Sequence, residues 1–156
     1  MGRPSNHHGM SPYAKYKTFK QAFDEVAKHK ENKNFLAAHI VAFSILEDRV
    51  TASYVLCFRA INNSNPPKYE QLHKVPFKQF LDYLLGMGAV DEDLYDGLLK
   101  AAYKRNELLH QAMWRLSAFN AKNVDEVRIL INSVQKATRK FLKAHGSEKL
   151  FAELTE

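Results

Sequence analysis

Arg105, Asn106 and His110 stand within six residues of one another, and between them they carry three groups that phosphate chemistry uses. A guanidinium fork matches phosphate oxygens, an amide orients what the fork holds, and an imidazole that titrates near neutrality takes up or gives back a proton. On a helix Asn106 and His110, four apart, share a face with Tyr103, Met113 and Trp114. His110 lies about 140° around the axis from Arg105, at about 100° per residue. A site using both groups needs Arg105 to bend round the helix, or a second subunit to supply half of it.

Arg105 also breaks a pattern. Leu94, Leu98, Ala101, Arg105, Leu109, Ala112 and Leu116 follow one face in four- and three-residue steps, and Arg105 is the sole charge among them. A guanidinium in that place requires a carboxylate or an anionic ligand. Earlier in the chain Leu36, Ile40, Phe43, Glu47, Val50 and Tyr54 follow the same kind of stripe, with Glu47 as the sole charge and Asp48 one residue off the face. The two breaks predict a Glu47–Arg105 pair in the groove between the helices, bidentate as arginine favours. Such a pair reads equally as a buried structural salt bridge or as the holder of a working arginine.

The elements that must position these residues are helical. Ser11 and Pro12 look like an N-cap and first helical residue, after which Tyr16, Phe19, Phe23 and Val26 recur at helical spacing to about Lys30. Asn34 caps a second, long helix to about Asn62, whose apolar stripe continues through Cys57 and Ile61. Asn62 to Pro67 is a breaker and loop, followed by a partial turn over Tyr69 to Lys74. A third helix starts at Pro76, turns Phe77, Phe80, Leu81, Leu84 and Leu85 inward and ends at Gly86. Asp91 caps a fourth, with Glu92 and Asp93 at its positive end, running to about Leu116. Asn123 and Glu126 form an approximate capping box for a fifth, lined by Val124, Val127, Ile131, Val134, Thr138 and Phe141 and stopped at Gly146. Nothing alternates with period two. The expected fold is an all-α, up-and-down bundle of four long helices plus a shorter one: a flexible arm over 1–10 and a single domain over 11–156.

Composition narrows the function classes. The chain of 156 residues is 46% hydrophobic and 26% charged, enough for one domain with its own core. A single cysteine, Cys57, excludes an internal disulfide and a CxxC metal knuckle, and fits a reducing cytoplasm. The uncharged stretch Phe35 to Leu46 is too short to span a bilayer, and the N-terminal segment lacks the apolar region of a secretory signal. A net charge of +6 and a pI near 9.4 favour polyanionic partners. The seven histidines are scattered with no H-E-x-x-H motif, so no metal site and no cofactor are expected, and no phosphate-cradling glycine loop is present. Lys122, Arg128, Lys136, Arg139, Lys140 and Lys143, with Arg115, form either a solvated helix face or a track for an RNA backbone.

The run Lys104-Arg105-Asn106-Glu107-Leu108-Leu109-His110 resembles the R-x4-H signature of HEPN domains, helical bundles found in prokaryotic toxins, abortive-infection systems and RNA-targeting defence effectors. In that family a polar residue, often Asn, directly follows the Arg, as Asn106 does here, and an acidic residue on the preceding long helix, here Glu47 or Asp48, frequently partners the Arg. The resemblance spans roughly Tyr13 to His145. It implies a metal-independent endoribonuclease working as a homodimer, with two copies of the motif facing across a two-fold axis, restrained in some systems by an antitoxin or inhibitor protein. His110 would be the general acid or base, Arg105 would hold the scissile phosphate, Asn106 would orient the phosphate or His110, and Glu47 would position Arg105. Lys104, Arg115 and Tyr103 flank the motif as candidate substrate contacts. The rival readings are a non-catalytic HEPN-like bundle that binds a nucleotide or pairs with a nucleotidyltransferase, and a plain helical interaction module.

Overall fold

The computed structural model describes residues 12–64, 72, 74–111, 114 and 118–152, with 12–16 described through the backbone alone. Among the described residues the helices are, in order, α1 (Pro12–Glu31), α2 (Phe35–Asn62), α3 (Phe77–Gly86), α4 (Glu92–Gln111) and α5 (Ala121–Ala144), followed by a 3-10 turn over Glu148–Phe151. No strand occurs among the described residues. The expected arm over 1–10, the cap at Ser11 and most of the Tyr69 to Lys74 turn lie outside them.

Helix α2 is the centre of the molecule because apolar residues cover a wide arc of its circumference. Ala38, Ala42, Phe43, Leu46, Val50 and Cys57 are all but fully enclosed, and α2 packs directly on α1, α3 and α5. Its ends are set locally. Asn34 Oδ1 accepts the Ala37 N–H at 3.3 Å, and Asn63, in the left-handed conformation at φ 52°, donates its N–H to Arg59 O at 2.9 Å. Thr138 of α5 and Ser53 of α2 hydrogen-bond at 2.7 Å inside the core, so the α2–α5 contact keeps its polar atoms satisfied.

The buried arc of α2 is not the stripe expected from spacing. Ile40 and Ile61, two members of that stripe, are exposed, whereas Ala38, Ile45, Ser53 and Leu56 are buried. At about 100° per residue the middle of the buried arc lies about 80° to one side of the Leu36–Phe43–Val50 line, which therefore runs along its margin. Glu47 sits on the same margin. That placement decides the character of its ion pair.

Helix α4 packs on α3 and α5. Asp91 Oδ1 accepts the Leu94 N–H at 2.8 Å and opens α4, after a turn in which Gly88 takes φ 75° and Ala89 N–H reaches back to Leu84 O at 2.9 Å. The described part of α4 ends at Gln111, and beyond it Trp114 stands in a turn and donates its N–H to Gln111 O at 2.8 Å; the rest of the expected stretch to Leu116 lies outside the described residues. Helix α5 likewise begins one turn before the expected cap. Asn120 Oδ1 accepts the Asn123 N–H at 3.0 Å, and Asn123, buried inside the helix, donates Nδ2 to Ala118 O at 2.9 Å. Two asparagines three apart compete for the cap, and the later one serves the core. The inward residues of α5, Val124, Val127, Ile131, Val134, Thr138 and Phe141, are buried as expected.

Candidate functional site

Arg105 of α4 reaches across to α2, where its Nη1 donates to Glu47 Oε1 at 2.8 Å. The contact uses one nitrogen and one oxygen, so the expected bidentate geometry is replaced by a single bond. A second contact is on α4 itself, where Asn106 Oδ1 accepts Arg105 Nε–H at 3.2 Å. A third contact comes from Phe43, whose ring centroid lies 4.2 Å from the Arg105 Cζ. No hydrogen bond takes up Nη2 among the described residues. The two side chains are 25% and 41% exposed, Arg105 and Glu47 respectively, so the pair stands at the rim of the groove. Asp48, the alternative acid, turns away to Arg49 Nη2 at 3.4 Å.

Behind this guanidinium lies a residue that spacing did not single out. His39 is 2% exposed, stacks on Phe43 with centroids 6.3 Å and planes 12° apart, and meets the edge of Phe119 at 5.7 Å. Its Nδ1 is buried with no hydrogen-bond partner among the described residues. Burial, and then the positive charges of Arg105 and Lys104, hold its pKa below the usual 6.5 against the smaller opposing pull of Glu126. His39 is therefore a neutral, core-facing imidazole, and its column of rings ends at the Arg105 cation. The sequence signal for it was a histidine one helical turn before a phenylalanine that itself lies one turn before Glu47.

The remaining motif residues point outward. Tyr103, Asn106 and His110 are all exposed on one face of α4, and His110 has no hydrogen-bond or ion-pair partner among the described residues. The structure brings Glu47, Arg105 and Asn106 together and leaves His110 about 140° around α4 from Arg105, as the helical geometry requires. Lys104 bonds Glu126 Oε2 of α5 at 3.1 Å, a contact that ties α4 to α5 beside the site. Trp114 is 83% exposed. Arg115 and Met113 lie outside the described residues.

No family model, curated protein or solved structure matches the chain. What the site can do is therefore argued from its own groups. Cys57 is enclosed on α2, and burial pushes its thiol up to about 12, far from a nucleophilic thiolate. Among the described residues no three His, Cys, Asp or Glu side chains gather in a way that would hold a metal ion, and no helix is long and apolar enough to cross a membrane. Lys122, Arg128, Lys136, Arg139, Lys140 and Lys143 are all exposed. At about 100° per residue they fall within about a third of the circumference of α5, opposite its buried side. Two of them are partly occupied, Arg128 over the Phe23 ring at 5.6 Å and Arg139 over the Phe151 ring at 4.4 Å.

Proposed function

We infer that the protein is a metal-independent endoribonuclease of HEPN type, a four-long-helix, up-and-down bundle acting as a cytoplasmic homodimer whose cleft draws Arg105 and His110 from both chains. The observation that carries this reading is the state of Arg105. Its guanidinium is fixed at the groove rim by Glu47, Asn106 and Phe43, while Nη2 is left without a protein acceptor among the described residues. A preorganised cation with a free N–H edge is suited to the negative charge that builds on a phosphoryl group under attack.

The chemistry needs little else. The 2′-oxygen of the RNA attacks the adjacent phosphorus and the bond from phosphorus to the 5′-oxygen breaks. His110 takes the 2′-hydroxyl proton or delivers one to the departing oxygen, so the products are a 2′,3′-cyclic phosphate and a 5′-hydroxyl. Arg105 holds the phosphate, Asn106 keeps Nε engaged, and Glu47 aims the guanidinium. Exposure of His110 supports its role, because an imidazole in contact with solvent can exchange its proton between turnovers. The angle between Arg105 and His110 on one helix supports the shared cleft, in which the imidazole of one chain serves the arginine of the other. Lys104, Tyr103 and Arg115 would flank the substrate, and an antitoxin or inhibitor protein would act by covering this face.

The test is incubation of the purified protein with RNA in excess EDTA, with the product ends identified. The expected result is cleavage to 2′,3′-cyclic phosphate and 5′-hydroxyl ends, with DNA of the same sequence left intact. Absence of cleavage, or cleavage of DNA as well, overturns the reading; tight nucleotide binding without turnover would instead identify a non-catalytic bundle of the same type.

A further inference from the structure

Two side chains of α2 hold Arg105, and only one of them is a carboxylate. Phe43 and Glu47 are four residues apart, so α2 presents an aromatic face and an anion side by side, one turn from each other. Arg105 takes both, with Nη1 at 2.8 Å from Glu47 Oε1 and Cζ at 4.2 Å from the Phe43 centroid. The electron-rich face of a ring attracts a cation at this distance, and the attraction strengthens as water is removed. Phe43 is fully enclosed. Its ring is also braced, by the stacked His39 at 6.3 Å and by Phe77 of α3 at 5.7 Å. Glu47 differs on each count, being 41% exposed and carried on a longer, more flexible stem. One hydrogen bond to such a carboxylate fixes a single nitrogen, whereas a braced ring under Cζ limits how far the whole guanidinium tilts.

We propose that Phe43 is a positioning residue for Arg105, its ring face holding the guanidinium at the rim so that Nη2 is presented to a substrate phosphate. This rests on the reading of Arg105 as the phosphate-holding group. Phe43 touches no reacting atom and acts through Arg105 alone. The lowered pKa of His39 is compatible with the same arrangement, since an imidazolium stacked on this ring would compete for the π density that Arg105 uses.

The experiment replaces Phe43 site-specifically with mono-, di- and trifluorinated phenylalanine, which drain the ring face at nearly constant shape, and compares these with Phe43→Leu. Two quantities are read on the full chain: the order parameter of the Arg105 Nε–Hε bond from nitrogen relaxation, which needs no substrate, and kcat and KM for RNA cleavage. Stepwise loss of Arg105 order along the fluorinated series, with kcat falling about tenfold by the trifluorinated form and KM little changed, is the expected result. Unchanged Arg105 order and unchanged kcat across the series overturn the proposal. The fluorinated proteins decide the matter even if Phe43→Leu fails to fold. A wild-type protein that cleaves no RNA, yet loses Arg105 order stepwise, removes the ribonuclease reading and leaves the positioning role of Phe43 standing.

Discussion

A quarter of the Arg105 side chain is exposed, which puts its ion pair where water still screens it and where the pair aims a side chain more than it stabilises a fold. Removing it is correspondingly mild. Arg105→Ala is expected to lower the unfolding free energy by about 1–2 kcal/mol in urea titrations, short of the roughly 3–5 kcal/mol for breaking a fully buried pair. His39 behaves in the opposite way. Its folded-state pKa is depressed, so the folded protein binds a proton less readily than the unfolded chain, and acid favours unfolding. Its contribution is whole above pH 6.5 and is lost as the pH falls toward the lowered folded-state value. Urea unfolding at pH 7.5 and pH 5 is expected to show a smaller acid loss for His39→Phe than for wild type; an identical loss contradicts the assignment. Glu47 and Arg105 were legible in the sequence because each is the one charge on an apolar stripe. Phe43 and His39 were not, because an aromatic or a histidine on a core-facing helix looks the same whether it fills space or backs a cation.

At the scale of elements, the helices were legible wherever a cap and a period agreed, as at Asn34 for α2 and Asp91 for α4. They were misplaced where two local signals competed. Asn120 caps α5 and Asn123 feeds the core, a division that depends on the Ala118 carbonyl coming within reach and so on tertiary structure. Asn120→Ala is expected to cost about 1 kcal/mol of stability, the usual loss of an N-cap. Asn123→Ala should cost more, because it also leaves Ala118 O unpaired in a part-buried place, a penalty of about 1–3 kcal/mol. Thermal unfolding of the two variants side by side checks the order; equal losses would restore Asn123 as the cap. The shifted arc of α2 has a related origin, since the stripe of spacing 3.5 follows the margin of a helix packed on three neighbours, and only the packing reveals which neighbours those are.

For the whole molecule, the net charge of +6 acquires a place through α5, whose exposed cations lie on one side of the helix, opposite its core. Lys136 and Lys140 share that face without touching the Arg105 site. Their joint replacement by Gln is expected to flatten the dependence of log RNA affinity on log salt by about 1.4, two single-strand phosphate contacts at about 0.7 each, with kcat unaltered. An unchanged slope would leave this face merely solvated. Ribonuclease activity requires Arg105 and His110 to act together. Single-turnover cleavage of RNA in EDTA by wild type, Arg105→Ala and His110→Ala tests it most directly, with folding of each variant verified beforehand. Cleavage by wild type and a loss of at least about a hundredfold in each variant are expected, the range seen when an oriented acid–base or charge-stabilising group is removed; full activity in both folded variants, or none in wild type, would overturn the ribonuclease reading.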